Sequence, residues 1–123
     1  MYVLTDLKVW QKALDLSLEV YQATQIFPKH ELYGLTSQIR TCSVSIPSNI
    51  AEGAGRETQA DFCRFLRIAR GSAYELQTQL YLANKLNYFN PKDFQHLLSN
   101  LEEVLRMLTG LQNSLQANQN ESK

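Results

Sequence analysis

Residues 45–56 read SIPSNIAEGAGR, and the fold turns on whether Pro47 ends a helix or lies inside one. A proline in a helix interior lacks the N–H that would bond the carbonyl of Ser43, and its ring clashes with that carbonyl, at a cost of about 3 kcal/mol. Yet Leu32, Leu35, Ile39, Cys42, Ile46 and Gly53 keep heptad spacing on both sides of it, with Ile50 near the same line. A pattern that runs past the proline predicts one helix over about 31–52, kinked at Ser43–Pro47. Ser43, Ser45, Ser48 and Asn49 crowd this stretch, and short polar side chains can satisfy freed backbone groups. Asn49, at the edge of the apolar face, suits a register-fixing role.

Upstream, Phe27-Pro28 bounds this helix, because the residue before a proline is pushed out of the helical region. Ahead of it, 6–25 carries two apolar sets at helical spacing. One is Leu7, Trp10, Leu14, Leu18 and Tyr21; the other is Val9, Ala13, Leu16 and Val20. Together they cover about half the circumference or more, wider than the ~100° stripe of an ordinary surface helix. Either the helix is central or a second chain covers part of it. Downstream, Thr58 with Asp61 resembles a capping box. It opens a third helix over about 59–86, whose heptad line is Phe62, Leu66, Ala69, Ala73, Leu76, Leu80 and Ala83. Gly71 in mid-helix suits a close helix-to-helix approach that offsets its cost of roughly 1 kcal/mol. Asn90, Pro91 and Asp93 open a fourth helix, with a stripe from Phe94 through Leu97, Leu101 and Leu108 to Leu115. The expectation is an all-α, antiparallel up-and-down four-helix bundle over 1–116, with a disordered polar tail over 117–123.

Bulk properties narrow the function classes. The 123 residues make one domain, and 12 Lys plus Arg balance 12 Asp plus Glu. A pI near 6.7 argues against a dedicated, highly basic nucleic-acid-binding domain. No apolar run reaches the ~18 residues of a membrane span, and MYVLTDLKVW lacks the layout of a signal peptide. Cys42 and Cys63 sit far apart in helical patterns and read as buried thiols in a reducing cytoplasm. His30 and His96 have no metal-ligand spacing around them. No cofactor motif or enzymatic constellation is visible, and the serines at 43, 45 and 48 have no histidine nearby in sequence.

DLKVWQKALDL, SIPSNIAEGAGR and FLRIARGSAYELQTQLYLA together resemble the bacterial four-helix-bundle proteins encoded in intervening sequences of 23S ribosomal RNA genes, the S23-type family. The likeness spans about 6–115, with one departure at Thr41-Cys42, where a basic residue followed by Ala is expected. The resemblance implies a homopentameric ring and carries no settled activity. A more distant likeness, to the accessory protein of diversity-generating retroelements, implies RNA or DNA and a reverse transcriptase as partners.

Gly53-Ala54-Gly55-Arg56 fails as a dinucleotide or P-loop fingerprint, since a helix precedes it. It reads as a turn in which Gly53 and Gly55 supply positive φ, or as a phosphate-holding corner at the next helix N-terminus with Arg56. Arg56, Arg64, Arg67 and Arg70 form the one local basic excess. They read either as a phosphate-tracking strip or as solvated and interfacial charge. Tyr33, Arg40, Val44 and Ala51 align away from the second helix's core. With Val9, Ala13, Leu16 and Val20 they are the expected oligomer interface, because monomers rarely leave large apolar patches exposed. Two functions follow: a non-enzymatic, homo-oligomeric nucleic-acid-binding accessory protein, or a protein-interaction scaffold without nucleic acid.

Overall fold

The computed structural model describes residues 2–121. Four long helices form the bundle: α1 (Lys8–Ala23), α2 (Leu35–Ala54), α3 (Gln59–Lys85) and α4 (Pro91–Glu121). Short 3-10 turns precede α1 and fill the α1–α2 connection. Among the described residues there is no strand. α1 packs on α2 and α4, and α3 packs on α2 and α4. The helices therefore stand at the corners of a square, with α1 diagonal to α3.

α2 runs unbroken through Pro47. Ser43, whose carbonyl is deprived of its helical donor, lies fully buried, and that carbonyl accepts a hydrogen bond from Ser17 Oγ of α1 at 2.9 Å, shorter than the 3.1 Å from the same hydroxyl to Ala13 O in its own helix. The donor thus comes from a neighbouring helix and not from the local serines. Those serve their own helix instead: Ser43 Oγ donates to Arg40 O, Ser45 Oγ to Cys42 O and Asn49 Nδ2 to Ser45 O. Ser17 lies on the face of Val9, Ala13, Leu16 and Val20, and all of these are buried in the chain's own core. The face expected to meet a second copy is therefore the inner one, with Val20 at 0% exposure, while Leu18 on the other set is 58% exposed. From this inner face the Ser17 hydroxyl reaches the α2 backbone.

Gly53 makes a second close approach. A Cβ there would lie 2.7 Å from Phe65 Cβ and 2.9 Å from Phe62 Cδ1, so any side chain would force α3 away from α2. No glycine among the described residues has positive φ. Gly55 caps α2 in the right-handed region, which corrects the expectation that Gly53 and Gly55 supply positive φ. That conformation belongs to Asn87, with φ 61°. It ends α3 in a Schellman turn, with Tyr88 N–H bonding Ala83 O and Asn87 N–H bonding Asn84 O. A Cβ at Gly71 would meet nothing within 4 Å, so no helix of its own chain approaches there.

α2 begins later than the heptad line suggests. Leu32 lies in a turn and is exposed. Glu31 Oε1 accepts from Leu35 N–H at 3.1 Å and starts the helix. Its Oε2 accepts from the Tyr88 hydroxyl at 2.8 Å, tying the α1–α2 connection to the α3–α4 connection. Phe27 stacks edge-on against Phe89 and tilts against Tyr88 beside this link. α4 continues past the expected end near Leu115, so 117–121 carry helical backbone; the rest of the expected tail lies outside the described residues.

Ser17→Ala leaves the Ser43 carbonyl buried without a cross-helix donor and should lower stability by about 1–3 kcal/mol. In a Pro47→Ala background, which restores the helical N–H, the same change costs clearly less; equal costs in a denaturant double-mutant cycle would refute the coupling. The Leu35 amide first, then the Tyr88 hydroxyl, hold the Glu31 carboxyl below its usual value. Its contribution is complete above the unfolded carboxylate pKa, about 4.3, and is lost as pH falls through the lower folded value. Thermal melts from pH 6 to pH 3 should show a shallower acid decline for Glu31→Gln than for the wild type, and parallel curves would contradict the assignment.

Candidate functional site

The α2–α3 corner gathers the arginines. Thr58 Oγ1 accepts the Asp61 N–H at 3.1 Å and fixes the start of α3, as the capping signal predicts. The close approach at Gly53 then sets Phe65 beneath two guanidinium groups. Arg56 lies 4.7 Å and Arg64 4.5 Å from the centre of its ring. So the turn brings Arg56, eight residues upstream, onto the same aromatic platform as Arg64. Both are also drawn toward carboxylates: Arg56 to Glu52 at 3.3 Å and Arg64 to Asp61 at 3.5 Å. These exposed pairs contribute little to stability, but they reduce the charge the corner offers to a phosphate. Arg67 and Arg70 have no carboxylate partner among the described residues, and Arg70 leans over Tyr74 at 5.9 Å.

The strip is not purely basic. Ile68, Tyr74, Tyr81, Leu82 and Leu86 are exposed on the outer side of α3, with Gly71 open among them. Their spacing is helical, so arginines and apolar groups share one surface. On the diagonal corner, Leu14, Leu18 and Tyr21 form the exposed side of α1, and Val44 and Tyr33 are exposed on α2 and just before it. Tyr33 is 94% exposed. Ala51 is half-buried. Arg40 turns onto α1: its Nε donates to Thr24 Oγ1 at 2.9 Å, its Nη2 to Tyr21 O at 3.3 Å, and its guanidinium lies 4.9 Å from the centre of the Tyr21 ring.

The remaining titratable groups sit in structural settings. Cys42 donates to Ser72 O and faces Glu75; burial, then the Glu75 charge, push its thiol up to about 12. Burial also raises Cys63. Both thiols are therefore protonated at neutral pH and poor nucleophiles. His96 meets Glu19 at 2.8 Å across the α1–α4 edge, with Asn100 bonding the same carboxylate. Among the described residues no group of three or more His, Cys, Asp or Glu could hold a metal ion. No helix among them is long and apolar enough to cross a membrane. Sequence reasoning found the arginines and the need for an outer apolar face. It missed that the outer face of α1 is Leu14, Leu18 and Tyr21; the signal was Ser17, a polar residue on the Val9 side that a buried carbonyl requires.

Comparison with known proteins agrees with this architecture. No curated protein gives a significant match. Among solved structures, the chain is similar to a protein of unknown function from the S23 ribosomal protein family of Bacteroides thetaiotaomicron. That likeness has a TM-score of 0.79 at 22% identity and covers 85% of this chain and 95% of the other; at that identity it speaks for the fold. The model of the 23S rRNA-intervening sequence protein family matches residues 5–110, and the chain belongs to that family.

Proposed function

We propose that this protein is a non-enzymatic, self-assembling helical scaffold that acts through its outer surfaces. The observation that carries this is the pair of unlike apolar faces on diagonal corners of the bundle. Leu14, Leu18 and Tyr21 lie on α1, beside α2 with Val44; Ile68, Tyr81, Leu82 and Leu86 lie on or at the end of α3. Of these only Tyr81 meets the core, edge-on against Phe94; the others are not among the buried or core-packed residues. Unlike faces on opposite sides favour head-to-tail contacts, which close into a ring when the rotation permits. The family resemblance supplies the number five. The interface then lies on the outer set of α1 together with Tyr33, Val44 and Ala51. Arg40 would support it by holding Tyr21.

Nucleic acid is the second reading, favoured by the absence of carboxylate partners at Arg67 and Arg70 among the described residues. In a ring these cations repeat once per subunit and would track phosphates without reading bases. A reverse transcriptase enters only through the more distant resemblance, and no residue of the strip argues for it.

Light scattering at micromolar concentration should give a mass several times 14.1 kDa, and a clean monomer would overturn self-assembly. Leu18→Glu and Leu82→Glu should each break the assembly alone. Mixed together, they should form a capped heterodimer through the one intact pair of faces, which a symmetric interface would not do. For the second reading, binding to structured RNA and duplex DNA across a salt series should weaken steeply with salt. Arg67→Gln with Arg70→Gln should reduce the slope by about one to two for each subunit in contact. No binding at low salt by the intact oligomer would remove nucleic acid and leave the scaffold.

A further inference from the structure

Asp15 stands between Leu14 and Leu18 on the outer face of α1, exposed and without an ion-pair partner among the described residues. On the flank of α1 toward α4, Lys12 meets Glu103 and Glu19 meets His96, and Asp15 lies on that side of Leu18. Arg67 is its counterpart on α3, exposed, without a carboxylate partner among the described residues, and one turn before Gly71. It lies on the α4 side of Gly71, where Cys63 donates to Gln112 O. Ile68 and Glu75 lie on the α2 side, where Cys42 donates to Glu75. On α1 the α2 side holds Tyr21, which the Arg40 guanidinium covers.

The core also fixes the relative heights of α1 and α3, which run in the same direction as diagonal members of an up-and-down bundle. Through α2, Ser17 bonds Ser43 O while the adjacent Cys42 bonds Ser72 O, so Ser17 and Ser72 are level. Through α4, Asn100 bonds Glu19, and the contacts of Tyr81 with Phe94 and of Cys63 with Gln112 put Asn100 level with Glu75. Both routes place Asp15 at the height of Arg70 and Gly71. An apolar cover on the outer face of α1 would strand the Asp15 carboxylate, and one on α3 would strand Arg67; a charge withdrawn from water needs a partner. Copies ringed about an axis along the bundle meet at equal height, since a shift per copy builds an open helix instead. The α4 side of α1 in one copy then adjoins the α4 side of α3 in the next, which brings Asp15 beside Arg67. Leu14 and Leu18 straddle the height of Gly71, whose missing Cβ leaves room for them, and Tyr21 falls on the side of Ile68. We propose that Asp15 of each copy pairs with Arg67 of the next, and that this pair fixes a parallel, equal-height contact between α1 and α3. The pairing rests on the self-assembly reading and withdraws Arg67 from phosphate.

The test is sedimentation velocity on the full-length protein over a concentration series. Asp15→Arg and Arg67→Asp, both at exposed positions, should each weaken assembly by about tenfold or more while helicity by circular dichroism is unchanged. The two changes in one chain reverse every pair around the ring and should bring assembly back to within about threefold of the wild type. Asp15→Arg with Lys85→Asp restores the same net charge on the same face of α3, but higher, and should give no recovery. Equal recovery by Lys85→Asp would reduce the effect to net charge and overturn the pairing. A wild type that assembles and is broken by Leu18→Glu, yet shows no recovery with Asp15→Arg and Arg67→Asp together, would overturn the pairing and leave self-assembly standing. A monomeric wild type would remove both.

Discussion

The bundle depends on one buried hydrogen bond, from Ser17 of α1 to the carbonyl that Pro47 strips of its donor in α2. A buried carbonyl must find a partner, and only a helix carrying a short hydroxyl on its inner face can supply one here. That requirement selects which of the two apolar sets on α1 turns inward. Once Ser17 points at Ser43, Ala13, Leu16 and Val20 follow it into the core, and Leu14, Leu18 and Tyr21 are left outside. A proline that looks like a defect in α2 thus sets the rotation of α1, and with it the character of the outer surface.

The other end of α2 obeys a steric constraint instead. Gly53 lets Phe62 and Phe65 of α3 sit directly on the α2 backbone, and this contact fixes the platform on which Arg56 and Arg64 meet. At the opposite end of the bundle, the Glu31–Tyr88 bond and the αL turn at Asn87 lock the two remaining connections together. The chain therefore concentrates its special residues at helix ends and crossings, where backbone groups lose their regular partners. The long middles of α3 and α4 rely mainly on apolar stripes, with single polar contacts such as Cys42 to Ser72 O and Asn100 to Glu19 between helices.

Those stripes are why the fold was legible. The heptad lines of α3 and α4 gave their existence, direction and inner faces, because periodicity and burial are the same fact in an amphipathic helix. The start of α2 was misjudged because the Glu31 cap acts from three residues before Gly34, outside the capping patterns a local reading uses. The inner face of α1 was misjudged because hydrophobicity could not rank two apolar sets, and the deciding group was an orphaned carbonyl 26 residues away. The arginine corner was half legible. The three-residue spacing placed Arg64, Arg67 and Arg70 along α3, but the carboxylates that engage Arg56 and Arg64, and the ring they share, follow from the turn geometry.

The same constraint bears on why the proposal of self-assembly rests on the outer surface and not on a cleft. With 12 cations and 12 anions, copies of the protein have no net charge to hold them apart. Leu18 and Leu82 face water without serving the core. Gly71 forgoes roughly 1 kcal/mol of helix propensity in mid-helix, yet nothing of its own chain occupies the space this frees. In a monomer all three are unfavourable with nothing to offset them. Covered by a neighbouring copy, the leucines would regain about 25 cal/mol for each Å2 withdrawn from water, and the missing Cβ at Gly71 would admit a backbone at close range. A neutral chain whose rotation of α1 is dictated by a buried carbonyl therefore presents its leftover apolar residues where only another molecule can cover them, and Arg64 and Arg67, two turns and one turn from Gly71 on the same face of α3, would share that contact.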